Sequence, residues 1–276
     1  MMQYQERPPA ATPKPRRPGG IVGSALVALA LLAAKFKVIF GLLLSAKWLI
    51  FAPKLLFSFG SIVLSLWLYA TLWGWKFGLV FVALIAIHEM GHYVTFRLFG
   101  APVSLPLFVP GLGAFVSSPM TNDPGRNAIA AIMGPVFGVA ASALCWSYGL
   151  TTAEPFWIAA AYTGFFLNLF NLIPAYPLDG GRVAGAIDGR LWLIGAALIV
   201  GWVVWSGAYR SPFAILIVIF VVAQSVPRAL AAWRGQVDAR VQIGEPGQRT
   251  LLAFAYFGLL ALGAAGAAGT HIDVAR

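Results

Sequence analysis

Cysteine occurs once in the 276 residues, at Cys145, so the chain can build neither a disulfide framework nor a thiolate metal cluster. Histidine is nearly as scarce, with three, and any metal must therefore be held by imidazole and carboxylate. Charge is the third shortage: Asp, Glu, Lys and Arg make up 10% of the residues and apolar residues 60%, where soluble domains carry about a quarter and about half. A chain this poor in charge cannot clothe a water-facing surface, and its composition is that of an integral membrane protein. Acids are scarcer than bases, nine against 19, for a net charge of +10. The bases are spread between apolar runs instead of forming a stripe with interleaved surface aromatics. That distribution argues against a nucleic-acid partner and makes them topology signals.

What the chain does have is apolar runs. A spanning helix needs about 20 mostly apolar residues, and the sequence predicts spans at about 57–73, 77–96, 128–148, 156–175, 191–205 paired with 212–226, and 251–268. The expected fold class is an all-α polytopic membrane protein of about six to seven transmembrane helices. No internal repeat is visible. Residues 1–20, rich in Pro and bases, read as a disordered cytoplasmic tail. The apolar run 21–34 after Arg16 and Arg17 superficially fits a signal sequence, but the lysine-studded sequence that follows argues against cleavage. Residues 21–56, interrupted by Lys35, Lys37, Lys47 and Lys54, read as basic amphipathic helices at the interface, with a re-entrant hairpin as the alternative. Residues 57–190 then form the catalytic membrane core, and 191–276 additional helices and a tail.

With the amino terminus placed in the cytoplasm, the outer face receives Lys76, Arg210 and Arg276. The inner face receives the remaining bases, among them Arg97, Arg126, Arg182, Arg190, Arg228, Arg234, Arg240 and Arg249. This bias and the compact layout lead to the expectation of a bacterial inner membrane.

Into this apolar background the stretch "ALIAIHEMGHYVTF", residues 83–96, sets His88, Glu89 and His92. Residues four apart lie on one face of a helix, so both imidazoles can reach a single ion, with Glu89 one residue round. This is the H-E-x-x-H arrangement, in which two histidines bind Zn²⁺ and the glutamate acts as general base. Ionisable groups in lipid cost at least about 2.5 kcal/mol each on insertion scales, and two of the chain's three histidines are spent here. Catalytic zinc needs a third protein ligand and an open position. Asp179, in "NLFNLIPAYPLDGGR", is the acid that fits by membrane depth; Glu154 and His271 fall on the opposite side. Pro174 and Pro177 break the helix before it, and Gly180 and Gly181 are expected to free the backbone to turn the carboxylate inwards.

"HEMGH" followed at a distance by "NLIPAYPLDGG" resembles the site-2 protease family of intramembrane zinc metalloproteases, peptidase family M50, over roughly residues 77–190. The resemblance implies one Zn²⁺ per chain held by His88, His92 and Asp179, Glu89 as catalytic acid/base, and Asn171 as the residue that holds substrate backbone, with helix–helix hydrogen bonding as the alternative reading, which extends to the neighbouring Asn168. Gly134-Pro135 resembles a recurring family feature and is expected to serve packing. The apolar but Pro- and Gly-rich segment 101–118 is expected to form a re-entrant β-hairpin after the H-E-x-x-H helix, with a surface loop as the alternative. In the family such an edge aligns an unwound substrate strand. The implied partners are a transmembrane protein substrate and the bilayer. No PDZ-like insert appears between the spans and no carboxy-terminal nucleotide-sensing (CBS) domain follows, so the selection of substrate is not legible.

Rival readings use the same residues. A metal or proton transporter also places His, Asp and Glu in the membrane, but would spread them on both sides of the midplane and favour broken helices in two repeated halves. A protease trimming lipidated tails also uses H-E-x-x-H, with a glutamate as its usual third ligand. A non-catalytic membrane scaffold would have no use for a full set of ligands and base.

Overall fold

The computed structural model describes Lys35, residues 46–111 and residues 113–271. The expected tail over 1–20 and the expected interfacial stretch up to residue 45, Lys35 apart, lie outside the described residues. Residues 55–276 form a compact unit distinct from residues 1–54; the packing below is that of the larger unit.

The chain is an all-α polytopic membrane protein with one small hairpin. In order, its helices are α1 (Ala46–Trp73), α2 (Trp75–Leu98), α3 (Pro124–Thr152), α4 (Pro155–Asn171), α5 (Asp179–Ile187), α6 (Leu191–Trp205), α7 (Pro212–Trp233) and α8 (Pro246–Thr270). Among the described residues, five stretches are long and apolar enough to cross a membrane: Ala52–Trp73, α2, α3, α7 and α8. Helix α6 is a shorter apolar helix, and α4 has 17 residues, at the lower limit of about 17 for a span.

Local chemistry sets the helix boundaries. Four helices begin with proline at the first turn, Pro124, Pro155, Pro212 and Pro246, where the missing N–H is one no helix could use. Asp123 and Ser211 cap two of them by accepting from the backbone N–H of Arg126 and Ala214. Gly74 alone separates α1 from α2, at a φ of 86° that a side chain would resist.

Two expectations need correcting. The helix expected over 156–175 stops at Asn171, because the chain turns at Leu172 before Pro174 and Pro177. Gly180 and Gly181 do not make a flexible turn. They lie inside α5, and a Cβ on either would collide with the backbone of Leu172–Ile173 or Ala175–Tyr176. Their smallness is a packing requirement.

The bundle centre is α3, which packs on both α2 and α4. Glycine makes these approaches close: a Cβ on Gly91 would strike the Met133 carbonyl, and one on Gly138 would strike the Asn168 amide. Van der Waals contact at small residues is the main attraction between helices in lipid. Gly91→Ala is expected to prise α2 from α3 and to destabilise the protein by about 1–3 kcal/mol, the usual cost of overpacking. An unfolding midpoint in detergent equal to that of the unsubstituted protein would show the contact to be soft.

Segment 101–118 does form a hairpin. Strands β1 (Leu107–Val109) and β2 (Gly113–Phe115) pair antiparallel, Phe108 opposite Ala114. Phe108 is buried against Tyr69 of α1 and Val82 and Ile85 of α2, which anchors β1 on the bundle while Phe115 of β2 stays exposed. The hairpin backbone is served by hydroxyls of α1. Ser58 Oγ donates to the Pro106 carbonyl at 2.5 Å, Ser61 Oγ accepts from Phe108 N–H at 3.1 Å, and Tyr69 Oη accepts from Gly111 N–H at 3.2 Å. Non-helical backbone at membrane depth survives only when its polar groups are satisfied this way.

Candidate metal centre

His88, Glu89 and His92 lie in the second half of α2, all buried. Asp179 is the first residue of α5. Three ties deliver it: Tyr256 of α8 donates its hydroxyl to the Leu172 carbonyl at 2.5 Å, Ser225 of α7 brackets Tyr176 by accepting from its N–H and donating to its carbonyl, and Trp192 of α6 donates its indole N–H to the Gly181 carbonyl at 2.6 Å. The Tyr256 and Ser225 bonds hold the non-helical segment between α4 and α5, and the Trp192 bond holds the first turn of α5 itself.

The result is a tight triangle. Asp179 Oδ2 stands 3.1 Å from Nε2 of His88 and 3.1 Å from Nε2 of His92, and the two Nε2 atoms are 3.2 Å apart. Tetrahedral ligands at zinc's bond lengths of about 2.0–2.1 Å stand about 3.3 Å from one another, so the three atoms have the spacing of ligands to one small cation.

The tautomers point the same way. His92 Nδ1 is 2.8 Å from the Ala130 carbonyl, which can only accept. His88 Nδ1 is 2.8 Å from Asn168 Oδ1, while the Asn168 NH₂ donates to the Gly164 carbonyl at 2.8 Å. Each Nδ1 must therefore carry a proton and donate; in the neutral imidazoles that a metal binds, this turns both Nε2 lone pairs towards the Asp179 carboxylate. Three electron-pair donors converge on one point, and a divalent cation resolves that convergence. The donor set and its pinned rings fit zinc.

Close packing completes the site. A Cβ on Gly134 would run into the His92 imidazole, so the expected packing role of Gly134-Pro135 is specific: it admits the ring of a cluster residue. Strand β2 packs against α2, and the Val116 backbone just past it lies near the Glu89 carboxyl.

Sequence reasoning gave Asn171 the substrate contact and left the neighbouring Asn168 to helix–helix hydrogen bonding. Asn171 closes α4 half-buried, its NH₂ donating back to the Leu167 carbonyl at 3.2 Å. Asn168, fully buried, is the residue that holds His88. The available signal was the absence of a side chain at Gly138, which makes room for the Asn168 amide.

Comparison with known proteins bears on the region that builds half of this cluster. The sequence model of peptidase family M50 matches residues 76–154, which takes in α2, the hairpin and α3 but ends before Asp179. A zinc metalloprotease of Methanocaldococcus jannaschii is 26% identical over 136 residues, 48% of this chain and 40% of that protein. The chain thus spans less than half the length of that relative. Through the region at 76–154 the chain resembles peptidase family M50, and with it the site-2 protease family to which its two motifs pointed.

Proposed function

We propose that the protein is an intramembrane zinc metalloprotease that hydrolyses peptide bonds in or beside transmembrane segments of membrane proteins, in the manner of regulated intramembrane proteolysis. The observation that carries this reading is the triangle of donor atoms from His88, His92 and Asp179, with a glutamate next to it in sequence. In this reading His88, His92 and Asp179 hold one Zn²⁺ and Glu89 is the catalytic acid/base. When bound, zinc supplies Lewis acidity, polarising the scissile carbonyl and making a water acidic enough to attack near neutral pH.

The chain's own residues do the rest. The Glu89 carboxylate accepts the proton that the attacking water gives up, holds it, and delivers it to the departing amine nitrogen as the C–N bond breaks. Burial of Glu89 beside the cluster keeps bulk water from competing for that proton. A substrate helix must unwind before its carbonyls are reachable. The outer edge of β2, away from the α1 hydroxyls that serve β1, offers a strand edge for the freed backbone, and the Asn171 amide, one donor and one acceptor at the end of α4, supplies a further contact. Asn168 and the Ala130 carbonyl hold the two imidazoles in the required tautomer. The count of bases favours a cytoplasmic amino terminus and a bacterial inner membrane as the setting.

Removing the amide of Asn168 by Asn168→Ala is expected to weaken zinc retention about 10–100-fold, the usual cost of losing a supporting partner of a metal-bound histidine. Competition with a chelating dye measures it, and undiminished retention would take the orienting role from Asn168. For the function itself, the purified chain is reconstituted in liposomes with a single-span substrate. Cleavage that stops on chelation and returns with zinc is the expected result. Zinc flux across the vesicle without any cleavage would favour the transporter instead.

A further inference from the structure

A cavity of about 460 Å³ lies between α5, α6, α7 and the segments that lead into α3 and α8. That is in the size range of small-molecule sites, about 300–1,000 Å³, and larger than a bare inorganic anion needs. Three guanidinium residues line it, Arg182 of α5, Arg228 of α7 and Arg240 of the α7–α8 connection, against one carboxylate, Asp238. Asp238 is already engaged, 2.7 Å from Arg240. Arg228 is held in place, its guanidinium 4.3 Å from the centroid of the Tyr176 ring and 2.7 Å from the Gln224 side-chain oxygen. Arg182, one turn after Asp179 on α5, has no side-chain partner among the described residues. The rest of the wall includes the rings of Tyr176 and Trp192.

A basic cavity with aromatic walls has a definite complement. Guanidinium presents a planar fork of donors that matches phosphate oxygens two at a time, and it is more weakly hydrated than an ammonium, which lowers the cost of making those contacts. One carboxylate cannot neutralise three such groups. The aromatic wall suits the less polar remainder of a larger molecule.

From this we infer that the cavity binds a phosphate-bearing ligand, with Arg182 and Arg228 as the principal contacts. The same chemistry is offered by an anionic phospholipid headgroup and by a soluble phosphate ester. Pro174, Tyr176 and Asp179 share the segment that the cavity borders, so its occupant touches the support of the metal centre without touching the cluster. This inference does not rest on the proteolytic reading.

The test uses the full chain with zinc supplied, in nanodiscs of phosphatidylcholine, and follows the thermal unfolding midpoint. Pyrophosphate is titrated in one arm, and phosphatidylglycerol is introduced into the nanodisc in the other. A midpoint that rises with pyrophosphate identifies a soluble phosphate as the source, and one that rises only with phosphatidylglycerol identifies the lipid headgroup. In either case Arg182→Gln is expected to weaken the apparent affinity about tenfold, and Arg182→Gln with Arg228→Gln about a hundredfold, since a charge-assisted hydrogen bond is worth about one decade or more. Arg234→Gln, a surface base outside the cavity, should leave it unchanged. No response to either probe overturns the inference, as does an undiminished response in Arg182→Gln or a loss in Arg234→Gln as large as in the double variant.

Discussion

Glu89→Gln is expected to keep its zinc and lose its peptidase activity. The substitution preserves size and leaves His88, His92 and Asp179 untouched, so the metal content of purified protein should equal that of the parent. What goes is the capacity to take up a proton, because a carboxamide does not accept one near neutral pH. General acid–base catalysis contributes about 10²–10⁴-fold, and here one group serves both halves of the reaction, so cleavage of a reconstituted substrate should fall by at least the lower figure. Metal analysis and a cleavage assay on the same preparation check both halves. Cleavage at the parental rate would remove Glu89 from the reaction and with it the reading of H-E-x-x-H as a protease motif.

Asp179→Ala should do the reverse and act on the metal first. It deletes one of three donors and the only anion among them, leaving two neutral imidazoles to hold a dication. The loss in zinc affinity should exceed the roughly 10–100-fold that follows from losing an outer partner of a histidine, and activity should vanish with the metal. The helix itself is expected to survive, since Trp192 and Ser225 tie the neighbouring backbone without help from the carboxylate. Circular dichroism with metal analysis separates the outcomes: zinc retained at parental affinity with helix content unchanged would mean that Asp179 is no ligand.

The helices and the convergence of His88, His92 and Asp179 were both legible in the sequence, for physical reasons. Apolar runs of spanning length have few alternatives in lipid, and an acid in such a background stands out because burying it is costly. The errors cluster where tertiary packing overrides local preference. Pro-Leu-Asp-Gly-Gly at 177–181 contains strong breakers, so the short helix α5 was not expected, yet its glycines are there to let α5 lie against the preceding turn. Asn168 does make a helix–helix hydrogen bond, but that its partner is His88 follows from the rotation of α4 against α2. Spacing along one helix carries no information about that rotation. Helix was expected on both sides of residue 57, and α1 runs through that boundary from Ala46 without a break, since lysine is a good helix former.

Ser58, Ser61 and Tyr69 belong to a helix that supplies nothing to the metal cluster, yet they carry the hairpin whose far end lies near Glu89. In a genetic screen, lesions in that first helix should therefore masquerade as active-site defects: normal abundance, intact metal, poor turnover. A map of inactivating alleles would then show a second island at residues 58–69, separate from the cluster residues and linked to them through the hairpin.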